Sequence, residues 1–217
     1  MYNPIIFDLD GTLLNTLGDL AAAGNYTLRK MGFPVHEEKE FRYFVGNGIP
    51  KLIERMLPGG ASDEDCKRAL EIFGEYYELH KTDRTAPYEG IAELLKSLKG
   101  EGIVCLCCTN KDHGFSEELL KRFFGDTIAE VVGAGQGYPT KPAPDGVLYL
   151  AEKYRIPDCR PLYVGDSNVD MQTAANAKLK VCGVLWGFRP REELERYNPD
   201  YLAENAEELQ KIILGGR

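Results

Sequence analysis

The stretch Ile5-Ile6-Phe7-Asp8-Leu9-Asp10-Gly11-Thr12 decides the fold. Three large apolar residues in succession cannot alternate between core and water, so they fit a parallel strand covered on both faces. The run, read as 4–9, ends abruptly in acids and a glycine. Runs of the same kind recur at 103–108, 127–132, 161–164 and 180–185. Helical patterns lie between them. Ile91, Leu94, Leu95 and Leu98 fall at i, i+3, i+4 and i+7, as do Val147, Leu150, Ala151 and Tyr154, with Pro144 suited to a first turn. Ser116 reads as an N-cap ahead of Leu119, Leu120 and Phe123, and Leu209, Ile212 and Ile213 mark a last helix. Strands alternating with helices predict right-handed βαβ units in a doubly wound sheet.

One interval breaks the alternation. Between about 14 and 86 the sequence offers helix signals and no good strand. Leu17, Leu20, Ala21, Gly24 and Leu28 form one stripe; Ser62 opens a capping box with Asp65, followed by Cys66, Ala69, Leu70, Phe73 and Tyr77. Seventy residues of helix exceed an ordinary crossover. The organisation expected is an α/β core from 1–14 and 87–217, with a helical domain, 15–86, inserted into it.

The rest of the composition narrows the class. The chain has 217 residues, with 43% hydrophobic and 28% charged, the proportions of a globular protein. No apolar run approaches the ~20 residues of a membrane helix, and the first residues lack the basic start of a secretory signal. A formal charge of −8 disfavours nucleic acid and anionic membranes as partners. Six cysteines, with Cys105, Cys107 and Cys108 inside an apolar run and no downstream His cluster, read as buried thiols in a reducing cytoplasm rather than as disulfides or a zinc site. Monomer and homodimer both stay open.

Ligands of open parallel sheets bind beyond the carboxyl ends of the strands. There the sequence divides its chemistry. Asp8 and Asp10 follow the first run; two residues apart in an extended chain, they face the same way. Asp166 and Asp170 follow the fourth. Thr109, Asn110 and Lys111 follow the second run, and Lys141 sits in a loop after the third. Clustered carboxylates suit a hard cation such as Mg2+. A hydroxyl, an amide and ammonium groups suit phosphoryl oxygens. A site with both is built for phosphoryl transfer.

The motif Phe7-Asp8-Leu9-Asp10-Gly11-Thr12-Leu13 resembles the first signature of the haloacid dehalogenase superfamily. Cys108-Thr109-Asn110, Lys141-Pro142, and Gly165-Asp166-Ser167 with Asp170 resemble the other three, in order. The likeness spans essentially the whole chain. It implies a Rossmann-like three-layer α/β/α core with a central parallel sheet and an inserted α-helical cap of the C1 type. Val45-Gly46-Asn47-Gly48, Thr109-Asn110-Lys111 and Trp186-Gly187-Phe188 make the chain most similar to the phosphoglycolate phosphatases of that superfamily.

The resemblance also implies roles. Asp8 is the nucleophile that forms an aspartyl-phosphate, and Asp10 is the acid and then the base. Asp8, Asp10 (through its backbone carbonyl) and Asp166 hold Mg2+, with Asp170 orienting that shell or Lys141. Thr109 and Lys141 bind the phosphoryl group, with Asn110 nearby. A carboxylate at position 10 argues for phosphate esters over carbon–halogen bonds. The implied substrate is a small phosphorylated metabolite, foremost 2-phosphoglycolate. Pyrophosphate, a sugar phosphate, a nucleotide, or a phosphomutase reaction are the alternatives. In the insert, Gly46 and Gly48 with Arg42 and Lys51 are the candidates to recognise an anionic leaving group. At the hinge, Asn15-Thr16 replaces the Asp-Ser common in the superfamily, a near-isosteric change.

Overall fold

The computed structural model describes residues 1–215. The chain forms two compact units, Met1–Leu14 with the chain from Pro87 onward, and Asn15–Ala86. In chain order, β1 (Tyr2–Phe7) and the two-residue β2 (Leu14–Asn15) lead into α1 (Leu17–Met31). A short 3-10 turn and α2 (Phe41–Phe44), α3 (Ile49–Met56) and α4 (Asp63–His80) follow, and β3 (Ala86–Pro87) closes the interval. Then come α5 (Ile91–Gly100), β4 (Cys105–Asp112), α6 (His113–Phe124), β5 (Ile128–Ala134) and α7 (Asp145–Lys153). The chain ends with β6 (Arg160–Gly165), α8 (Asn168–Ala177), β7 (Lys180–Val184), α9 (Arg191–Glu195), β8 (Tyr201–Ala203) and α10 (Ala206–Leu214).

The first unit is built on one parallel sheet in the order β5-β4-β1-β6-β7-β8. Its inner strands β1, β6 and β7 are buried on both faces over most of their length, which is why they read as apolar runs. Ile5 and Phe7 pack on one side with Cys105, Cys107, Leu162 and Val164. Ile6 packs on the other with Leu106, Cys108, Tyr163 and Val181. The buried cysteines serve as small hydrophobes: burial pushes the thiols of Cys105 and Cys182 up to about 12, so they stay protonated and unreactive. All six cysteines are free thiols.

Three local expectations need correction. The second run continues as strand to Asp112, so Thr109, Asn110 and Lys111 lie within β4, not after it. Pairing to β5 slips between Cys108 and Asp112, which marks an irregular end to the ladder. The N-cap of α6 is Asp112, whose carboxylate accepts from the Phe115 N–H, while Ser116 sits inside the helix and donates to the Asp112 carbonyl. The sheet also gains β8, whose three residues are too few to show a pattern.

The second unit is helical. Leu17, Leu20, Ala21, Gly24 and Leu28 are buried along α1. A methyl on Gly24 would sit 2.4 Å from the Phe41 ring, so glycine here permits close packing. The capping box of α4 forms as expected, with Asp65 N–H donating to Ser62 and Asp65 accepting from the Ser62 N–H. Asp19, buried in the first turn of α1, accepts from the backbone N–H groups of Arg84 and Thr85 and from the Thr85 hydroxyl. It thereby ties the outgoing chain to the incoming one. The short strands β2 and β3, which mark the two ends of the interval, pair with each other. No described helix is long and apolar enough to cross a membrane.

Candidate active site

Strand order places the site. β1 is central, with β4 on one side and β6 on the other. Phe7 pairs with Val164, so Asp8 and the Gly165-Asp166 turn leave the sheet side by side. The Asp8 N–H donates to the Val164 carbonyl at 2.9 Å. Ser167 caps α8 and forms a capping box with Asp170, which fixes that carboxylate in the helix's first turn. The result is three buried acids, Asp8, Asp166 and Asp170, each offering an oxygen within 4.8 Å of the others.

Glycines make that convergence possible. A Cβ on Gly11 or Gly187 would lie 2.4 or 2.2 Å from Asp166 atoms, and one on Gly165 would lie 2.3 Å from Asp170. Asp166 accepts from the Thr12 hydroxyl at 3.0 Å and from the Phe188 N–H at 2.8 Å. The Trp186 indole N–H donates to the Thr12 carbonyl at 3.0 Å. Phe188 thus holds one oxygen of Asp166, and Thr12, braced by Trp186, holds the other.

Asp10 does not join the trio. The chain turns after Asp8, with the N–H groups of Thr12, Leu13 and Leu14 all donating to the Leu9 carbonyl. An extended-chain argument therefore fails past Leu9, and the side chain of Asp10 turns to Lys111, 3.2 and 3.4 Å from its two carboxylate oxygens. Lys111, which in the sequence could pass for a surface charge, is buried beside it; its side chain is 1% exposed.

Lys141 is the cation inside the trio. Its Nζ lies 2.8 Å from Asp8 Oδ1 and 2.7 Å from Asp170 Oδ1, and donates to the Tyr163 hydroxyl at 3.1 Å. Asn110 holds the backbone that carries it. The Lys141 N–H donates to Asn110 Oδ1 at 2.7 Å, and Asn110 Nδ2 donates to the Lys141 carbonyl at 2.9 Å. The Asn110 side chain thus positions Lys141. Thr109 is buried next to it, its hydroxyl oxygen accepting from the Lys111 N–H.

Electrostatics distinguishes the three acids. Burial, with repulsion from Asp170 next, raises the Asp8 carboxyl to about 7 against the pull of Lys141. Burial and the charges of Asp170 and Asp8 raise Asp166 to about 8. Asp170 is equally buried, yet Lys141 and the hydrogen bonds from Lys141, Ser167 and Tyr163 hold it below the ordinary range. Lys141 is kept charged because Asp170 and Asp8 outweigh its desolvation. Two carboxyls that resist ionisation at neutral pH, beside a third that does not, form an oxygen-only donor set short of positive charge. A hard divalent cation fits that deficit.

The remaining candidates belong to the second unit. Gly46 and Gly48 have φ of 122° and 82°, which glycine adopts readily and other residues do not. Arg42 lies on α2. Lys51, on α3, pairs with Glu54 at 2.6 Å on the exposed face. Arg55 braces the glycine loop: it donates to the carbonyls of Tyr43 and Phe44 and, at 2.7 Å, to Asn47 Oδ1.

The site's geometry has counterparts in known proteins. Residues 5–184 match the haloacid dehalogenase-like hydrolase family. A phosphoglycolate phosphatase of Vibrio vulnificus strain YJ016 is 34% identical over 97% of this chain and 95% of its own length. One from Vibrio cholerae is 32% identical over 97% of this chain and 96% of its own. Among solved structures, a predicted phosphoglycolate phosphatase from Haemophilus somnus 129pt superposes with a TM-score of 0.90 at 28% identity, covering 97% of both chains. A predicted phosphatase from Clostridium acetobutylicum reaches 0.86 at 28% identity over 99% of both. The chain belongs to the haloacid dehalogenase-like hydrolase family.

Proposed function

We propose that this protein hydrolyses a small phosphomonoester through an aspartyl-phosphate, with Mg2+ as cofactor and 2-phosphoglycolate as substrate. The observation that carries the chemistry is the Asp8 carboxylate held 2.8 Å from Lys141 inside a cluster of three buried acids. The relatives named as phosphoglycolate phosphatases support the substrate.

Asp8, Asp166 and the backbone of Asp10 would hold the metal. Bound there, Mg2+ supplies charge neutralisation and polarisation of the phosphoryl group. Asp8 is the nucleophile; a carboxylate is weak in that role, so its fixed direction matters. Lys141 and the Thr109 hydroxyl take the phosphoryl oxygens. Asp10 protonates the leaving oxygen, then removes a proton from the water that attacks the acyl phosphate. Asp170 acts on Lys141, since both its oxygens are already engaged, one by Lys141 and Tyr163 and the other by Ser167. The helical unit acts as the cap that chooses the leaving group. Six free thiols suit a reducing compartment, so we place the protein in the cytoplasm.

The direct test is phosphate release from a panel of phosphorylated metabolites, with Mg2+ and with chelator. Phosphoglycolate should lead the panel and chelator should stop turnover. Full activity in chelator, or preference for a phosphosugar, would overturn the reading. Within the panel, Arg42→Ala and Lys51→Ala should lower kcat/KM for phosphoglycolate by about 1.5–3 kcal/mol if either side chain pairs with the leaving carboxylate. They should leave p-nitrophenyl phosphate nearly untouched. Equal losses on both esters would remove these residues from recognition.

Metal binding should also show in stability. The folded protein without metal keeps protons on Asp8 and Asp166 up to about 7 and 8, while the unfolded carboxyls release theirs near 3.8. Between those values the unfolded state binds fewer protons, so metal-free stability falls as pH rises from about 4 to about 8. Mg2+ needs both acids ionised, so it competes with those protons. The rise in Tm on adding Mg2+ should therefore grow from pH 5 to pH 9. Thermal unfolding in EDTA and in Mg2+ across that range checks it, and a Mg2+ shift independent of pH would contradict the assignment.

A further inference from the structure

Tyr163 lies in the middle of β6, fully buried among the residues of one core face. Read as sequence it is one more apolar strand residue between Leu162 and Val164. Its hydroxyl, however, is aimed at charge. It accepts from Lys141 Nζ at 3.1 Å and donates to Asp170 Oδ1 at 2.9 Å. The direction is fixed by chemistry: an ammonium has no lone pair to offer, and an ionised carboxylate has no proton.

The protons of Lys141 can be counted. An ammonium has three N–H donors. The structure supplies two hydrogen-bond acceptors, Asp170 Oδ1 at 2.7 Å and the Tyr163 hydroxyl at 3.1 Å, and one ion-pair partner, Asp8 Oδ1 at 2.8 Å. Two of these sit on the strand and helix behind the lysine, on β6 and in the first turn of α8. The third is the carboxylate that we assign as nucleophile. A lysine side chain rotates freely about its last bonds unless its donors are engaged. With Asp170 alone behind it, Nζ could swing about a single contact. A second acceptor on the same side restrains the ammonium, which stands 2.8 Å from Asp8 Oδ1, where a phosphoryl oxygen must arrive.

The geometry points to Tyr163 as a positioning residue for phosphoryl binding: its hydroxyl, shared between Lys141 and Asp170, fixes the rotation of the Lys141 ammonium so that one N–H is presented at Asp8. This rests on the reading of Lys141 as the phosphoryl-binding cation. The hydrogen bonds of the Tyr163 hydroxyl go to Lys141 and Asp170 and not to Asp8, so its effect passes through Lys141.

The test is Y163F, which keeps the ring and deletes the hydroxyl. Three quantities are compared with the wild type in Mg2+: KM and kcat for p-nitrophenyl phosphate, and the Kd of inorganic phosphate. The expected result is phosphate binding weaker by about 10- to 150-fold, the range for one hydrogen bond to a charged group. KM should rise with it. A double-mutant cycle with Lys141→Met separates positioning from packing. In that background the hydroxyl has no ammonium to hold, so adding Y163F should change kcat/KM by less than about twofold. If Y163F does not fold, 4-aminophenylalanine at 163 keeps a donor for Asp170 but is a poor acceptor for Lys141; phosphate binding should then weaken as well. Phosphate affinity within twofold of wild type in the folded variant would overturn the proposal, as would an undiminished Y163F effect without Lys141. A wild type inactive on every phosphate ester would instead sink the phosphatase reading, which keeps the two failures distinct.

Discussion

Asp8→Asn should fold normally and release no phosphate. The amide has the shape of the carboxyl, and its oxygen can still accept from Lys141, which lies 2.8 Å from the wild-type carboxylate. Stability should not suffer. Asp8 resists ionisation because it is buried beside Asp170, so a neutral side chain removes a cost that the wild type carries. Asp166 should gain as well, since the charge of Asp8 is among the causes that raise its carboxyl to about 8. In EDTA above pH 7 the variant should melt at or above the wild-type Tm. Chemistry is a different matter. An amide oxygen is a poor nucleophile and cannot yield a stable acyl phosphate, so the loss should be on the order of 10,000-fold or more in kcat, as for other covalent nucleophiles. Steady-state phosphate release and acid-quenched detection of the phosphoenzyme check the two halves separately. Full activity in the folded Asp8→Asn variant would end the covalent mechanism.

Why so much of this is legible in the sequence, and some is not, has a physical basis. A strand covered on both faces needs continuous apolar residues, so Ile5-Ile6-Phe7 and the strand before Asp166 are visible as runs. Residues that stop such runs stand at the sheet's carboxyl edge, which is why Asp8 and Asp166 can be picked out before their contacts are known. Periodicity cannot see buried polar strand residues. Thr109, Asn110 and Lys111 look like a loop because they are polar, yet they continue β4 with each residue at most 6% exposed. Tyr163 hides for the opposite reason: a tyrosine among aliphatic residues reads as packing, and only its hydroxyl's partners reveal more. Extended-chain spacing misplaces Asp10 because it says nothing once the chain bends at Leu9, whose carbonyl accepts from Thr12, Leu13 and Leu14. The Asp112 cap of α6 is hidden behind Ser116 because the helix starts directly from the strand with no intervening loop.

Asp10→Asn tests whether the carboxylate beside Lys111 performs proton transfer. Two effects are entangled there and have to be separated. The first is structural. Lys111 is buried, with a side chain 1% exposed, and it lies 3.2 Å from Asp10. Neutralising Asp10 removes a charge partner from a buried ammonium, which should cost up to about 3 kcal/mol, the low end for breaking a buried pair, because Asp10 itself is still 13% exposed. Lys111→Met in the same chain should recover most of that stability. The second effect is chemical, and Lys111→Met should not recover it. Without an acid, the leaving oxygen departs as an alkoxide; without a base, water must attack the acyl phosphate unaided. Each step should slow by about 100- to 10,000-fold. The leaving group discriminates. In single-turnover phosphorylation, p-nitrophenolate departs without help and should lose little, whereas glycolate should show the full loss. Hydrolysis of the phosphoenzyme is common to both esters and should slow equally. If both esters lost equally in the phosphorylation step, and Lys111→Met restored them, Asp10 would be a structural partner of Lys111 and the proton donor would have to be sought elsewhere.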